Sequence, residues 1–422
     1  MLRKMKNRHL YTIGLCIGLL MFSCISVEVE APPKRTILFF IGTDTNGLDN
    51  GFQGDEPKQQ IDAMRAGWIP GRGEMLIYAD QTGRLPCLMR LNNKKDMNGL
   101  YGIDTIQVYQ EESSADPAVL SRVIQTVVQD YPAGCYGMLF FSHASGWLPE
   151  GMMSRPRGPE KAGRSDNEIR SLVIDNGEEM SYIDFAAAIP DKLFDFIIFD
   201  ACFMSDVISL YELRNKAAYV VAASTEIVSP GFLPIFKNEI MRLFDKPCSD
   251  AYSVTAGFAQ SYMDYIKMTY PEDDVYCSAS MSVIRMSEMD NLASTVKAAL
   301  KGAQMDETTL NVDTIQRFDR PDKLIVSGPR RNRYFDLGHV IENLISGSPY
   351  SQFLSQLDRT VVWKGNTKRF LLRNTQNGAP YYAEYDGYFI ERHSGMSTYI
   401  EQSVYPALNA AYRNSAWYKA VY

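Results

Sequence analysis

Short apolar runs alternate with amphipathic stretches along the first half of the chain. Runs such as 36–42 (TILFFIG) and 194–200 (FDFIIFD) are apolar without a helical period, which is typical of strands buried on both faces of a sheet. The predicted strands are 36–42, 74–78, 87–91, 105–109, 137–142, 194–200 and 219–224. The helical spacing of apolar residues predicts helices at 116–131, 181–189 and 205–216. This alternation predicts an α/β fold whose mostly parallel sheet carries helices on both faces.

Beyond residue 231 the pattern becomes mainly helical. The predicted helices are 234–244, 251–268, 290–303, 334–357 with an interruption near Gly347, and a closing helix around 404–418. Strand-like runs remain at 277–286, 360–363, 369–373 and 397–400. We therefore predict a mainly helical C-terminal extension.

The amino terminus has the pattern of an export signal. A basic leader precedes an apolar run at 10–22, which is too short to span a membrane comfortably and has the size of a signal-peptide core. Ser23 and Cys24 then resemble a bacterial lipobox. We predict a signal peptide over 1–23, lipidation of Cys24, a tether over 24–34 and a location in the bacterial cell envelope. Ordinary secretion with an incidental cysteine is the alternative.

Charge and cysteine content exclude several classes of protein. The 422 residues include 50 acidic and 43 basic side chains, a formal charge of -7, which disfavours nucleic-acid binding. Five cysteines follow Cys24 without a paired CxxC spacing, so we predict neither a zinc site nor a disulfide scaffold. Because five is an odd number, at least one thiol is free if the others pair.

Two predicted strands end in chemically active side chains. His143 follows strand 137–142, and Cys202 follows strand 194–200. Parallel strands bring their carboxyl ends to one edge of a sheet, so the pair predicts a cysteine nucleophile with a histidine partner. The amides of Ala144 and Cys202 would hold the oxyanion, and a helix starting near Ser205 would favour the thiolate.

Packing roles for both side chains are the alternative interpretation. A cysteine at the end of a buried strand is commonly a packing residue, and a histidine beside serine and glycine is commonly a hydrogen-bonded structural group. His339 and His393 are alternative bases, but neither ends a predicted core strand.

The two motif segments resemble a known family. Residues 140–147 (FFSHASGW) and 194–231, which include Asp200-Ala201-Cys202, the run 211–214 (YELR) and Pro230-Gly231, are similar to the clostripain family of cysteine peptidases. These are caspase-like enzymes related to gingipains and legumains. The resemblance implies a caspase-like catalytic core over 35–230, completed by 231–422. It also implies that His143 is the base and Cys202 the nucleophile.

The resemblance implies further roles around this pair. Asp200 would lie at the base of the pocket that selects Arg or Lys before the cut bond, although an acid capping the next helix is the alternative. Ser224 and Glu226 would form a pocket wall, with an extra residue between them compared with the family. Alanine at 144 replaces the family's glycine. Self-cleavage would occur in the basic loop 151–170, which is otherwise a solvated loop; the candidate sites are Arg155, Arg157, Lys161 and Arg164.

The predicted function is that of an endopeptidase that cuts polypeptides after Arg or Lys through a thioester. No organic cofactor or metal-binding residue is predicted, and calcium is considered only by family analogy because the chain has no EF-hand-like ligand string. The alternatives are a catalytically weak homologue that binds peptides or surface partners, and peptide ligation by the same dyad.

Overall fold

Buried strands form the centre of the computed structural model, which describes residues 34–42, 56–80, 84–110, 112–148, 173–175, 178–319, 332–372 and 387–422. The strands are β1 (Arg35–Ile41), β2 (Gly73–Ala79), β3 (Cys87–Lys95), β4 (Tyr101–Val108), β5 (Cys135–Phe141), β6 (Val173–Asp175), β7 (Glu178–Met180), β8 (Phe194–Asp200), β9 (Ala217–Ala222), β10 (Ser280–Arg285), β11 (Phe335–Asp336), β12 (Val361–Asn366), β13 (Arg369–Phe370), β14 (Tyr388–Phe389) and β15 (Ser397–Thr398).

Nine of these strands form one sheet in the order β12-β10-β9-β8-β5-β1-β2-β3-β4. The five central strands from β9 to β2 run parallel, and the two strands at each edge run antiparallel to their inner neighbours. The predicted mostly parallel sheet is confirmed. Its central strands are mainly apolar because helices cover both faces of a parallel sheet.

The helices divide into two layers. They are α1 (Glu56–Gly67), α2 (Pro117–Asp130), α3 (Tyr182–Ala188), α4 (Val207–Leu213), α5 (Leu233–Glu239), α6 (Ala251–Thr269), α7 (Met289–Leu300), α8 (Leu337–Leu344), α9 (Ser348–Thr360), α10 (Pro406–Asn414) and α11 (Ala416–Val421). Helices α1, α5 and α6 contribute to one apolar core, and the other eight contribute to the second. Strand β1 serves both cores, since Leu38 and Phe40 face one and Ile37 and Phe39 face the other.

The C-terminal part continues the same sheet. Strands β10 and β12 extend it beyond β9, and six helices, α6 to α11, follow residue 250. The predicted mainly helical extension is confirmed. None of the helices in the described part of the chain is long and apolar enough to cross a membrane.

Several helices differ from the sequence prediction. The predicted helix 205–216 is shorter, because Asp206 caps it by accepting from the amides of Ile208 and Ser209 and α4 begins at Val207. The predicted closing helix divides at Ser415, whose side chain caps α11. Helix α1 was not predicted, since most of its surface is polar and only a narrow apolar face is buried.

One disulfide joins Cys135, at the start of β5, to Cys248, which lies 113 residues further along the chain. Beside it, the Arg35 guanidinium donates to the carbonyl oxygen of Leu243 at 2.7 Å and pairs with Asp195 at 3.3 Å. The remaining described cysteines, Cys87, Cys202 and Cys277, form no disulfide with one another.

We expect the disulfide to stabilise the fold substantially. Closing a loop of this length restricts the unfolded chain, so the double variant Cys135→Ser/Cys248→Ser should lose about 2–5 kcal/mol of unfolding free energy. Urea denaturation with and without reductant measures this loss, with Cys87→Ser as the control that keeps the bond. Equal midpoints for the oxidised and reduced wild type would contradict the prediction.

Candidate active site

The register of two neighbouring strands places His143 and Cys202 side by side. In the parallel pair β5–β8, Phe141 lies opposite Asp200. His143 and Cys202 each follow their strand by the same two residues, and adjacent strands lie about 4.8 Å apart. Both half-buried side chains therefore emerge at the carboxyl edge of the sheet, where ligands bind in such folds.

The turn that carries Cys202 is held in a strained conformation. Phe203 has a φ of 61°, a left-handed value that costs a non-glycine residue on the order of 1 kcal/mol. Two backbone hydrogen bonds fix this turn, from Phe203 N to the Thr225 oxygen and from Ser205 N to the Ala223 oxygen, both at 2.9 Å. The strained turn thus presents the thiol in one orientation.

The hydrogen-bond donor at the thiol comes from the loop after β9. The backbone amide of Ile227 donates to the Sγ of Cys202 at 3.3 Å. Such a donor interacts most strongly with an anionic sulfur. A helix does begin near Ser205, at Val207, but Asp206 accepts from its first amides, so its effect on the thiolate stays a prediction.

The loop that carries His143 approaches this turn through a glycine. Gly146 has a φ of 55°, and a Cβ placed on it would lie 2.7 Å from the Phe203 oxygen and 2.8 Å from Oδ2 of Asp206. Only glycine permits this contact. Ala144 does not adopt a positive φ, so alanine is unstrained there.

Burial sets the protonation state of two groups at this contact. It lowers the pKa of His143, so the imidazole is neutral at pH 7 and can accept a proton. Burial also raises the pKa of the Asp206 carboxyl to about 7.

Tyr334 joins the two loops. Its ring stacks on Phe203 with centroids 4.4 Å apart, and its hydroxyl donates to the carbonyl oxygen of Ser145. Its own amide donates to the buried Asp319 at 3.3 Å. Sequence reasoning missed this residue, because it lies more than 130 residues beyond Cys202 and no local motif marks it.

We expect Tyr334→Phe to lower kcat about tenfold with little change in KM. The variant removes one hydrogen bond to the His143 loop, worth about 1 kcal/mol, and positioning of the base affects turnover more than substrate binding. Tyr388→Phe is the matched control, since that buried hydroxyl donates to the carbonyl oxygen of Phe318 instead. Steady-state kinetics measures kcat and KM for both variants. An equal loss of kcat in both would indicate that Tyr334→Phe acts through the stability of the fold and not through the position of His143.

Asp200 is a buried acid at the end of β8. It is 5% exposed, and its Oδ2 accepts from the amide of Phe232 at 2.9 Å. Gly231, with a φ of 61°, passes so close that a Cβ would lie 2.3 Å from Oδ1. Burial, aided by the charge of Glu56, raises the pKa of Asp200 to about 8. Asp206 rather than Asp200 caps the next helix.

Ser224 and Glu226 lie on the loop that follows β9. Ser224 is fully buried, and its amide donates to the Oγ of Ser280 at 3.1 Å. Glu226 is half-buried, and its carbonyl oxygen accepts from the hydroxyl of Thr225 at 2.9 Å. The loop therefore flanks the Cys202 turn. The assignment of Ser224 and Glu226 to a pocket wall stays a prediction.

The two alternative histidines occupy different environments. The Nδ1 of His339 accepts from the amide of Gln316 at 3.0 Å, which is a structural hydrogen bond. His393 packs edge-on against Phe318, and burial lowers its pKa to about 3. Cys24 and the candidate cleavage sites Arg155, Arg157, Lys161 and Arg164 lie outside the described residues.

One group of possible metal ligands occurs among the described residues. The side chains of Cys135, Asp195 and Cys248 lie within 4.8 Å of one another. Because the two cysteines are joined in the disulfide, they are not available as thiolate ligands in the oxidised protein.

A cysteine and a histidine that follow adjacent parallel strands are the pair of side chains that a cysteine peptidase requires. The chain belongs to the clostripain family, whose sequence model matches residues 57–418. It is thus a hydrolase with a caspase-like fold.

Solved structures of the same family resemble the chain over nearly its whole length. An inactive zymogen C11 protease from Parabacteroides distasonis has 24% identity and a TM-score of 0.73, covering 93% of this chain and 99% of that one. A secreted C11 cysteine protease from Bacteroides thetaiotaomicron, in complex with an irreversible peptide inhibitor, has 25% identity and a TM-score of 0.70, covering 92% and 98%. No curated protein sequence matches the chain significantly.

Proposed function

We propose that this peptidase is exported and cuts polypeptides after Arg or Lys. The observation that carries the proposal is the buried carboxyl of Asp200, two residues before Cys202. None of the ion pairs among the described residues involves it. A buried carboxylate without a cation is costly, and a substrate guanidinium or ammonium would supply that cation. Ser224 and Glu226 would border the same pocket.

In the proposed reaction, the thiol of Cys202 transfers its proton to His143 as Sγ attacks the substrate carbonyl carbon. The amides of Ala144 and Cys202 donate to the resulting oxyanion. The protonated His143 then gives its proton to the leaving amine as the C–N bond breaks. Water, deprotonated by His143, hydrolyses the thioester and restores the thiol. No organic cofactor enters this sequence, and calcium remains an analogy with the family.

A fluorogenic peptide series that differs only in the residue before the cut tests the proposal. We expect cleavage after Arg and Lys, with kcat/KM at least about a hundredfold above that for glutamine, because a buried carboxylate would lose its cationic partner. Cleavage after a residue other than Arg or Lys would show that Asp200 does not select a cationic side chain. No cleavage of any peptide, even after trypsin nicking of the loop 151–170, would favour the peptide-binding homologue.

Self-processing in the loop 151–170 is part of the proposal. Arg155, Arg157, Lys161 and Arg164 match the proposed specificity. Intact mass after incubation should show cleavage in the wild type and a whole chain in Cys202→Ala. A wild-type loop that stays whole in active enzyme would end this idea.

We further propose that lipidated Cys24 anchors the protein in the cell envelope. The secreted relative supports export, and the Ser23-Cys24 pair supports the anchor. Incorporation of a labelled fatty acid that persists in Cys24→Ala would contradict lipidation at this residue.

A further inference from the structure

A second carboxyl lies beside the proposed specificity pocket. Glu56 begins α1, and its Oε1 accepts from the hydroxyl of Ser229 at 3.4 Å. Two and three residues after Ser229, the backbone of Gly231 and Phe232 contacts Asp200. The turn 229–232 therefore contacts both Glu56 and Asp200.

The two carboxyls interact without a neutralising cation among the described ion pairs. Burial raises the pKa of Glu56, and the charge of Glu56 contributes to the raised pKa of Asp200. Among the described residues, Tyr262 of α6 lies near Asp200 and Cys202, and burial raises its pKa so far that its hydroxyl stays neutral. With a pKa of about 8, the Asp200 carboxyl is therefore mostly protonated at neutral pH.

We propose that Glu56 is a second specificity-determining acid, and that Glu56 and Asp200 together receive one cationic side chain. This inference rests on the proposed Arg or Lys specificity. A guanidinium presents five N–H donors in a planar fork and can reach two carboxylates at once, whereas an ammonium is a point charge. The pair therefore favours Arg over Lys.

Binding of a small probe tests the pair without turnover. Calorimetry of acetyl-arginine amide with Cys202→Ala, at pH 7 in two buffers of different ionisation enthalpy, measures affinity and proton release together. We expect release of up to one proton per ligand, and none with the neutral isostere acetyl-citrulline amide. Adding Glu56→Gln should weaken acetyl-arginine amide binding about tenfold or more and reduce the release. Glu56→Asp, which keeps the charge, should retain most of the affinity.

Glu239→Gln is the matched control, because that acid on α5 pairs with Arg242. A Glu56→Gln variant with unchanged affinity and unchanged proton release would overturn the inference. So would an equal loss in the control, since it would indicate a general structural effect. Failure of the broader proposal would appear separately, as a wild type that binds acetyl-arginine amide but cleaves no Arg or Lys peptide.

Discussion

Replacing Cys202 with alanine is expected to lower kcat for peptide hydrolysis by at least about 10⁴-fold while leaving the fold intact. The thiol forms the covalent bond in the proposed reaction, and removal of a nucleophile in a comparable serine peptidase costs even more. His143→Ala should lose nearly as much. Because the two residues act as one unit, the double variant should be little worse than either single variant.

Cys87→Ala is the control for this loss. Cys87 is another half-buried thiol, but burial raises its pKa and it lies at the start of β3. Limited alkylation with iodoacetamide gives an independent readout, since Cys202 faces the amide of Ile227 whereas burial also raises the pKa of Cys277. We expect Cys202 to be labelled first. Normal activity of the Cys202→Ala enzyme would show that Cys202 is not the nucleophile.

The sequence predicted the parts of the site that follow directly from a strand. His143, Asp200 and Cys202 lie at the ends of apolar runs. Parallel pairing of the two strands, β5 and β8, therefore predicts that all three residues lie at the carboxyl edge of the sheet. The helix boundary after Cys202 was misplaced because the pattern of apolar residues continues through the turn. Its true start depends on a cap by Asp206.

The residues that support the Cys202 turn could not be predicted from local sequence patterns. Ile227 and Tyr334 reach the Cys202 turn through contacts between distant segments, and neither belongs to a motif. The positive φ of Phe203 is also set by distant partners, since phenylalanine has no intrinsic preference for it. Strand ends can therefore be predicted from periodicity, whereas the support of a strained turn requires the tertiary structure.

Asp200→Asn is expected to lower kcat/KM for Arg and Lys peptides about 10³-fold, with a much smaller effect on peptides with a neutral residue at that position. The amide is close in size to the carboxyl but offers no charge to the substrate cation, and the loss of a buried charged pair costs about 3–5 kcal/mol. Asp195→Asn is the matched control, because Asp195 lies near the other end of β8 and pairs with Arg35. That variant should lose stability without changing specificity.

The pH dependence provides a second readout of Asp200. With a pKa near 8, the carboxyl of the free enzyme is mostly neutral at pH 7, so kcat/KM for Arg peptides should fall as the pH drops through 8. The bound cation favours the ionised form, so kcat at saturating substrate should not show this limb. Asp200→Asn should abolish the limb in kcat/KM. An Arg-peptide profile that is flat between pH 7 and pH 9 in the wild type would show that Asp200 does not receive the substrate cation.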